Sequence, residues 1–100
     1  MLPTAHAPRF ERLPDFLLDP LARFLQDVLR RVERESGGAR YNLLIHTSPF
    51  RSKEEDLFHW HIEILPRVVI YAGFEWGTGS TINPVSPEAA AERLRAAAEE

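Results

Sequence analysis

The sequence predicts an α+β domain in which helices cover one face of an antiparallel sheet. Three features lead to this prediction: an amphipathic helical pattern near the start, short apolar runs in the middle, and an alanine-rich stretch at the end. A length of 100 residues suits one hydrophobic core, so we expect residues 1–100 to form a single domain. The hydrophobic fraction of 44% and the charged fraction of 27% are ordinary for a folded soluble chain.

The first helix is predicted to begin at Asp19-Pro20, after a proline-containing lead-in over residues 2–19. Aspartate is a favoured N-cap, and proline is favoured at the first helical position. Gly37-Gly38 is expected to end the helix, because glycine tolerates a positive φ. Between these limits the apolar residues recur at helical spacing: Leu21, Phe24, Leu25, Val28, Leu29 and Val32.

The middle of the chain predicts several short strands. Residues 41–46 form an apolar run with little alternation, which is typical of a buried strand. Residues 57–65 predict a second strand that ends at a proline, and residues 68–72 predict a third. Glycines then divide the chain into turns around a short strand or bend at residues 74–76.

The last helix is predicted to begin at Ser86-Pro87, again with an N-cap followed by proline in the first turn. Residues 47–56, between the first two strands, are polar and fit a surface loop. The predicted order is therefore helix, antiparallel strands, helix.

Composition argues against several classes of partner. The formal net charge of −3 provides no general attraction to a phosphate backbone, so we expect no nucleic acid partner. The absence of cysteine excludes disulfides and thiolate metal sites. The chain has neither a secretory signal pattern nor a run of about 18 apolar residues that could cross a membrane. A cytoplasmic location is the expectation that follows.

The most informative residues lie in the second predicted strand. Side chains alternate along a strand, so His59, His61 and Glu63 would share one face. The opposite face would carry only apolar side chains: Phe58, Trp60, Ile62 and Ile64. Packing does not require three ionisable groups in a row, so this pattern favours a functional site.

Three chemistries are compatible with that face. His46, at the end of the preceding strand, could join the two histidines on a transition metal, with Glu63 as a ligand or an outer support. A histidine nitrogen could instead attack phosphorus and form a covalent nucleotidyl intermediate. The imidazoles could also bind diphosphate oxygens without turnover. His6, in the lead-in, has no such pattern around it and is interpreted as an ordinary surface histidine.

Four segments of the sequence form a linked series of motifs: Tyr41–Phe50, Phe58–Arg67, Ala72–Gly79 and Ile82–Glu88. Together they resemble the C-terminal domain of the galactose-1-phosphate uridylyltransferase family, which belongs to the histidine-triad-like superfamily. The similarity is weaker at Arg9-Phe10-Glu11. Because these motifs occur in the family's order, they are more specific than an isolated His-x-His.

The resemblance implies a histidine-triad-like fold and a role in uridylyl transfer between UDP-glucose and a hexose 1-phosphate in galactose metabolism. It implies that His46, His59 and His61 bind a divalent transition metal, zinc or iron. It also implies that Phe74 and Glu75 contact the hexose of a nucleotide sugar, reaching into the partner's site in a homodimer.

One departure from the family leaves alternatives open. The His-Pro-His-x-Gln motif, which carries the family's nucleophile, does not occur in this sequence. The chain is therefore expected to work with a complementing N-terminal-type domain, which would also supply the fourth metal ligand. A stand-alone histidine-triad hydrolase or transferase would instead use His61 as its nucleophile. A third alternative is a non-catalytic module that binds nucleotide sugars.

Overall fold

The computed structural model describes residues 1–51, 53 and 55–98. The helices are α1 (Leu18–Glu35), α2 (Gly73–Thr78) and α3 (Pro87–Ala96), and the strands are β1 (Tyr41–His46) and β2 (His61–Pro66). Short 3-10 turns occur at Phe10–Arg12, Asp15–Leu17 and Glu55–Leu57. Across the described part of the chain, β1 and β2 pair as a two-stranded antiparallel sheet, which confirms the α+β class.

Helix α1 begins at Leu18, two residues before the predicted first helical residue, Pro20. The 3-10 turn at Asp15–Leu17 leads directly into Leu18, so Asp19 and Pro20 lie inside the first turn instead of at the N-cap and first position. Proline is tolerated there because the first N–H groups of a helix have no intrahelical acceptor. The prediction of Asp19 as the N-cap was therefore wrong, although the helix itself is present.

The end of α1 is as predicted, at a pair of glycines. Gly37 has φ +66° and Gly38 has φ +80°. The Gly38 N–H donates to the Glu33 carbonyl at 2.8 Å, and the Gly37 N–H donates to the Arg34 carbonyl at 3.3 Å. These two bonds form a Schellman motif, which satisfies carbonyls that the helix end leaves unpaired.

Helix α3 also begins where the sequence placed it. Ser86 is the N-cap, and its hydroxyl accepts a hydrogen bond from the Ala89 N–H at 3.2 Å. Pro87 occupies the first helical position. The guanidinium of Arg34 donates to the Ala97 carbonyl at 2.8 Å, so an α1 side chain binds the carbonyl end of α3.

The strands differ from the prediction in extent and burial. β1 has the predicted bounds but is not buried: Tyr41, Leu44 and Ile45 are each more than two-fifths exposed, because a two-stranded sheet leaves much of its surface uncovered. β2 begins at His61 instead of residue 57. The Trp60 N–H, just before β2, donates to the Ala7 carbonyl at 2.9 Å, so the chain there pairs with the N-terminal segment and not with β1.

The predictions for residues 68–76 were wrong. No strand occurs at residues 68–72, where Ile70 is 91% exposed, and residues 74–76 belong to helix α2. One physical cause is local: the Glu75 carboxylate accepts from the Ala72 N–H at 3.0 Å and so satisfies a backbone donor at the start of α2. Gly79, with φ +71°, ends the helix.

The chain divides into two compact units. One contains Met1–Leu25 and Tyr41–Leu65, and the other contains Gln26–Arg40 and Pro66–Glu100. Trp60 and Ile62 are 3% and 2% exposed and form the centre of the first unit, where the Trp60 ring meets Phe10 edge-on at 5.2 Å. The expectation of one domain over residues 1–100 stays a prediction. None of the described helices is long and apolar enough to cross a membrane.

Candidate functional site

Three ionisable side chains meet where the two strands pair. His46 is the last residue of β1 and His61 is the first residue of β2, with Glu63 two residues further along β2. The two imidazole rings stack with centroids 4.6 Å apart and planes 14° apart. Glu63 reaches both histidines: Oε2 lies 3.3 Å from His46 Nε2, and Oε1 lies 3.5 Å from His61 Nε2. We call these three residues the strand-end cluster.

The donor atoms of the strand-end cluster fit a divalent transition metal. One nitrogen or oxygen from each residue lies within 4.8 Å of the other two, and imidazole and carboxylate are ligands that zinc and iron accept. The side chains of His46, His61 and Glu63 are 44%, 33% and 44% exposed, so an ion could reach them from solvent. Glu63, which the sequence suggested as a ligand or an outer support, lies close enough to both histidines to share an ion with them.

A backbone contact orients His61. Its Nδ1 lies 3.1 Å from the His59 carbonyl oxygen. In the tautomer that carries its proton on Nδ1, the ring donates to this carbonyl and leaves the lone pair of Nε2 directed toward Glu63. This arrangement suits either a metal ligand or a nucleophile, since both need an unprotonated nitrogen.

His59, the third predicted metal ligand, lies outside the strand-end cluster. It precedes β2, so the strand alternation that would place it beside His61 does not extend to it. Its Nδ1 accepts from the Ala7 N–H at 3.3 Å, and its Nε2 lies 2.7 Å from the Pro3 carbonyl. The His6 ring stacks on it at 5.8 Å. A metal role for His59 stays a prediction that would require its ring to leave these contacts.

Arg9 is a buried cation whose contacts the sequence reasoning did not anticipate. It is 8% exposed, and its guanidinium makes five contacts: Glu55 at 2.9 Å, Glu11 at 3.2 Å, the carbonyls of Pro49 at 3.3 Å and Ser48 at 3.4 Å, and the Phe50 ring at 5.7 Å. The only signal in the sequence was the weak family similarity at Arg9-Phe10-Glu11.

The carboxylates around Arg9 raise its pKa, chiefly because they accept hydrogen bonds from its guanidinium, with Glu11 contributing most and Glu55 next. The pKa of Glu11 is lowered, first by a hydrogen bond from its own backbone N–H and then by the Thr47 hydroxyl, with Arg9 contributing less. Both residues therefore stay charged at neutral pH.

Phe74 and Glu75, the predicted hexose contacts, lie in helix α2 of the other unit. Phe74 is 55% exposed, and Glu75 is partly buried, with Oε2 engaged by the Ala72 N–H. An exposed aromatic ring beside a carboxylate suits a pyranose, because the ring covers its apolar face and the carboxylate accepts hydroxyl hydrogen bonds.

Comparisons with known proteins identify relatives of this chain. It is 36% identical over 97 residues to ADP-glucose phosphorylase of Arabidopsis thaliana, a match that covers 95% of the chain and 28% of that relative. No protein-family model matches the chain.

Two solved structures from the same plant match its fold. The crystal structure of an ADP-glucose phosphorylase with bound ADP-glucose gives a TM-score of 0.86 at 36% identity, covering 94% of this chain and 31% of that one. The X-ray structure of a galT-like protein gives a TM-score of 0.87 at 36% identity, covering 94% and 32%. The chain therefore spans about three-tenths of the length of the relatives it matches.

Proposed function

Because this chain is a homologue of proteins in the galactose-1-phosphate uridylyltransferase family, we propose that it is the nucleotide-sugar-binding part of a nucleotidyl-transferring enzyme. The observation that carries the proposal is the match, at a TM-score of 0.86, to an ADP-glucose phosphorylase whose crystal structure holds ADP-glucose. The finer assignment in the sequence analysis was UDP-glucose and galactose metabolism. The named relative makes ADP-glucose the first substrate to test, with UDP-glucose as the alternative.

In this proposal the strand-end cluster is the metal site. His46, His61 and Glu63 would hold a zinc or iron ion, and a complementing N-terminal-type domain would supply a fourth ligand. The ion, when bound, supplies a positive charge that can neutralise phosphate oxygens. The protein's own contribution is orientation, since the contact between His61 Nδ1 and the His59 carbonyl holds the ring with Nε2 toward the site.

Helix α2 provides the proposed sugar contacts. The Glu75 carboxylate would accept hydrogen bonds from hexose hydroxyls, and the exposed Phe74 ring would cover an apolar face of the sugar. The proposed function also involves two further partners. One is a hexose 1-phosphate, and the other is either a second copy of the chain or the complementing domain.

Calorimetric titration with ADP-glucose, UDP-glucose and ADP tests the substrate assignment. We expect ADP-glucose to bind more tightly than ADP, because the hexose adds the contacts of α2. Glu75→Gln should remove this preference for ADP-glucose, since glutamine keeps an oxygen that can accept from the Ala72 N–H but loses the charge. Glu92→Gln, an exposed position in α3, is the matched control. Equal affinities of wild type and Glu75→Gln for ADP-glucose would refute the sugar contact.

A second candidate function is autonomous nucleotidyl transfer by His61, which the orientation of its ring supports as well as it supports a metal role. Nε2 would attack the α-phosphorus of the nucleotide sugar, forming a P–N bond while the P–O bond to the departing sugar phosphate breaks. Intact-mass spectrometry after brief incubation with ADP-glucose or UDP-glucose detects such an adduct. A gain of one nucleotidyl group that is absent in His61→Asn would establish this function. An unmodified but folded chain would place the nucleophile elsewhere.

A non-catalytic module remains the third alternative from the sequence analysis, motivated by the missing His-Pro-His-x-Gln motif. It predicts binding of nucleotide sugars without turnover. Binding without turnover in the presence of the complementing domain would favour it, and turnover would eliminate it.

A further inference from the structure

The N-terminal segment contacts the chain on both sides of the strand-end cluster. The Ala7 carbonyl accepts from the Trp60 N–H at 2.9 Å, one residue before His61. The Pro8 carbonyl accepts from the Ser48 N–H at 2.9 Å, two residues after His46. Residues 7–11, which we call the N-terminal splint, therefore bind next to a histidine of each strand.

We propose that the N-terminal splint positions His46 against His61 and Glu63. The positioning residues are Arg9 of the splint and Thr47, which follows His46 and is bonded by the splint. The metal part of this inference rests on the proposed function, whereas the positioning of His46 does not. His46 comes from the end of β1, whereas His61 and Glu63 come from β2, and β1 and β2 are the two strands of their sheet in the described part of the chain. Metal ligands must be held within about 0.5 Å of their working positions, so they need more support than the pairing of two short strands provides.

Thr47 makes the most direct connection, because it follows His46 in the chain. Its Oγ1 accepts from the Phe10 N–H at 3.0 Å and donates to Glu11 Oε2 at 2.8 Å. One hydroxyl thus acts as donor and acceptor to two consecutive residues of the splint. The backbone at the end of β1 is held from its C-terminal side, and with it the base of the His46 side chain.

Arg9 attaches the splint to the residues that follow Thr47. Its guanidinium donates to the carbonyls of Ser48 and Pro49 and to the carboxylates of Glu11 and Glu55. Because the side chain of Arg9 is only 9% exposed, these bonds are shielded from water more than those of a surface ion pair. Glu11 joins the two positioning residues, since it accepts from both Thr47 and Arg9.

The test compares Thr47→Val, which keeps the shape and loses the hydroxyl, with Thr47→Ser, which keeps the hydroxyl. Thr81→Val, at an exposed position in the other unit, is the matched control. The first readout is the imidazole NMR signals of His46 and their nuclear Overhauser effects to the His61 ring. The second is the affinity for Co²⁺, added as the metal alone, and circular dichroism verifies that each variant is folded.

We expect Thr47→Val to shift the His46 signals, weaken the contact with His61 and lower Co²⁺ affinity by about tenfold or more. Thr47→Ser and Thr81→Val should match wild type in both readouts. A folded Thr47→Val variant with unchanged His46 signals and unchanged Co²⁺ affinity would overturn the proposal, even if it melts at a lower temperature.

Two further outcomes are informative. If wild type binds no Co²⁺, the proposed metal site fails, and the His46 signals still decide whether the splint positions that ring. If Thr47→Val does not fold, Glu11→Gln replaces it, because glutamine can accept from Thr47 but lacks the charge that binds Arg9. We expect this variant to shift the His46 signals relative to wild type, and no shift at all would count against the splint.

Discussion

Ile62 lies on β2 between His61 and Glu63 and is 2% exposed, so its replacement by alanine tests what holds the strand in place. The change removes three carbon atoms from a buried site. At about 0.8 kcal/mol for each methylene-sized group, the lost transfer free energy is about 2.4 kcal/mol. The cavity left behind adds to this loss, so we expect the unfolding free energy to fall by about 3–5 kcal/mol.

The assay is urea denaturation followed by circular dichroism, with Ile70→Ala as the matched control. Ile70 is 91% exposed, so the same substitution there should change the unfolding free energy by at most about 0.5 kcal/mol. Because Ile62 alternates with the two ligand residues along the strand, Ile62→Ala should also weaken Co²⁺ binding, whereas Ile70→Ala should not. Equal losses of stability in the two variants would refute the assignment of Ile62 to the core of its unit.

Three other changes have defined outcomes. Glu63→Gln should lower Co²⁺ affinity by about tenfold or more in a calorimetric titration, because it removes the charged oxygen ligand. The control variant Glu92→Gln should bind Co²⁺ as wild type does. Equal Co²⁺ affinities of the two variants would exclude Glu63 as a ligand. Glu11, whose pKa is lowered in the folded state, stabilises the fold fully above its ordinary pKa of 4.5, and this contribution is lost as the pH falls through the lowered value. The stability difference between wild type and Glu11→Gln in urea titrations should therefore be largest at neutral pH and shrink in acid, and a constant difference would contradict the ionic role. Gly37→Ala should lower the free energy of unfolding by about 1–2 kcal/mol in thermal denaturation, because φ is +66° although the space around the added methyl is open. Gly73→Ala should lower it less, because φ is ordinary there. A larger loss in Gly73→Ala than in Gly37→Ala would contradict the conformational explanation.

The sequence by itself determined the features that depend on neighbouring residues. The glycine pair after α1 and the Ser86-Pro87 start of α3 were both predicted, because a Schellman motif and an N-cap are built from residues a few positions apart. The bounds of β1 were predicted from a local apolar run. The resemblance to the galactose-1-phosphate uridylyltransferase family, to which homologues of this chain belong, was also visible in the sequence, because the matching motifs are contiguous stretches of the chain.

Only the tertiary structure decided which ionisable groups meet. The sequence expected His59 beside His61 from strand alternation, but the Ala7 and Pro3 backbone groups, more than fifty residues away, engage both nitrogens of its ring. Such long-range hydrogen bonds leave no periodic signal in the sequence. The pairing of β1 with β2 brings His46 to His61 and Glu63, which the sequence had already placed on one face of the second strand.

Contacts between distant segments also explain the other differences between the sequence predictions and the structure. Arg9 is buried because its partners arrive from the loop after β1 and from the turn at Glu55–Leu57, and composition around Arg9 does not reveal them. Residues 68–72 have the apolar composition of a strand but did not become one, since a strand forms only where a partner strand supplies hydrogen bonds. Local chemistry thus specified the end of α1 and the start of α3, whereas contacts between distant segments specified the site.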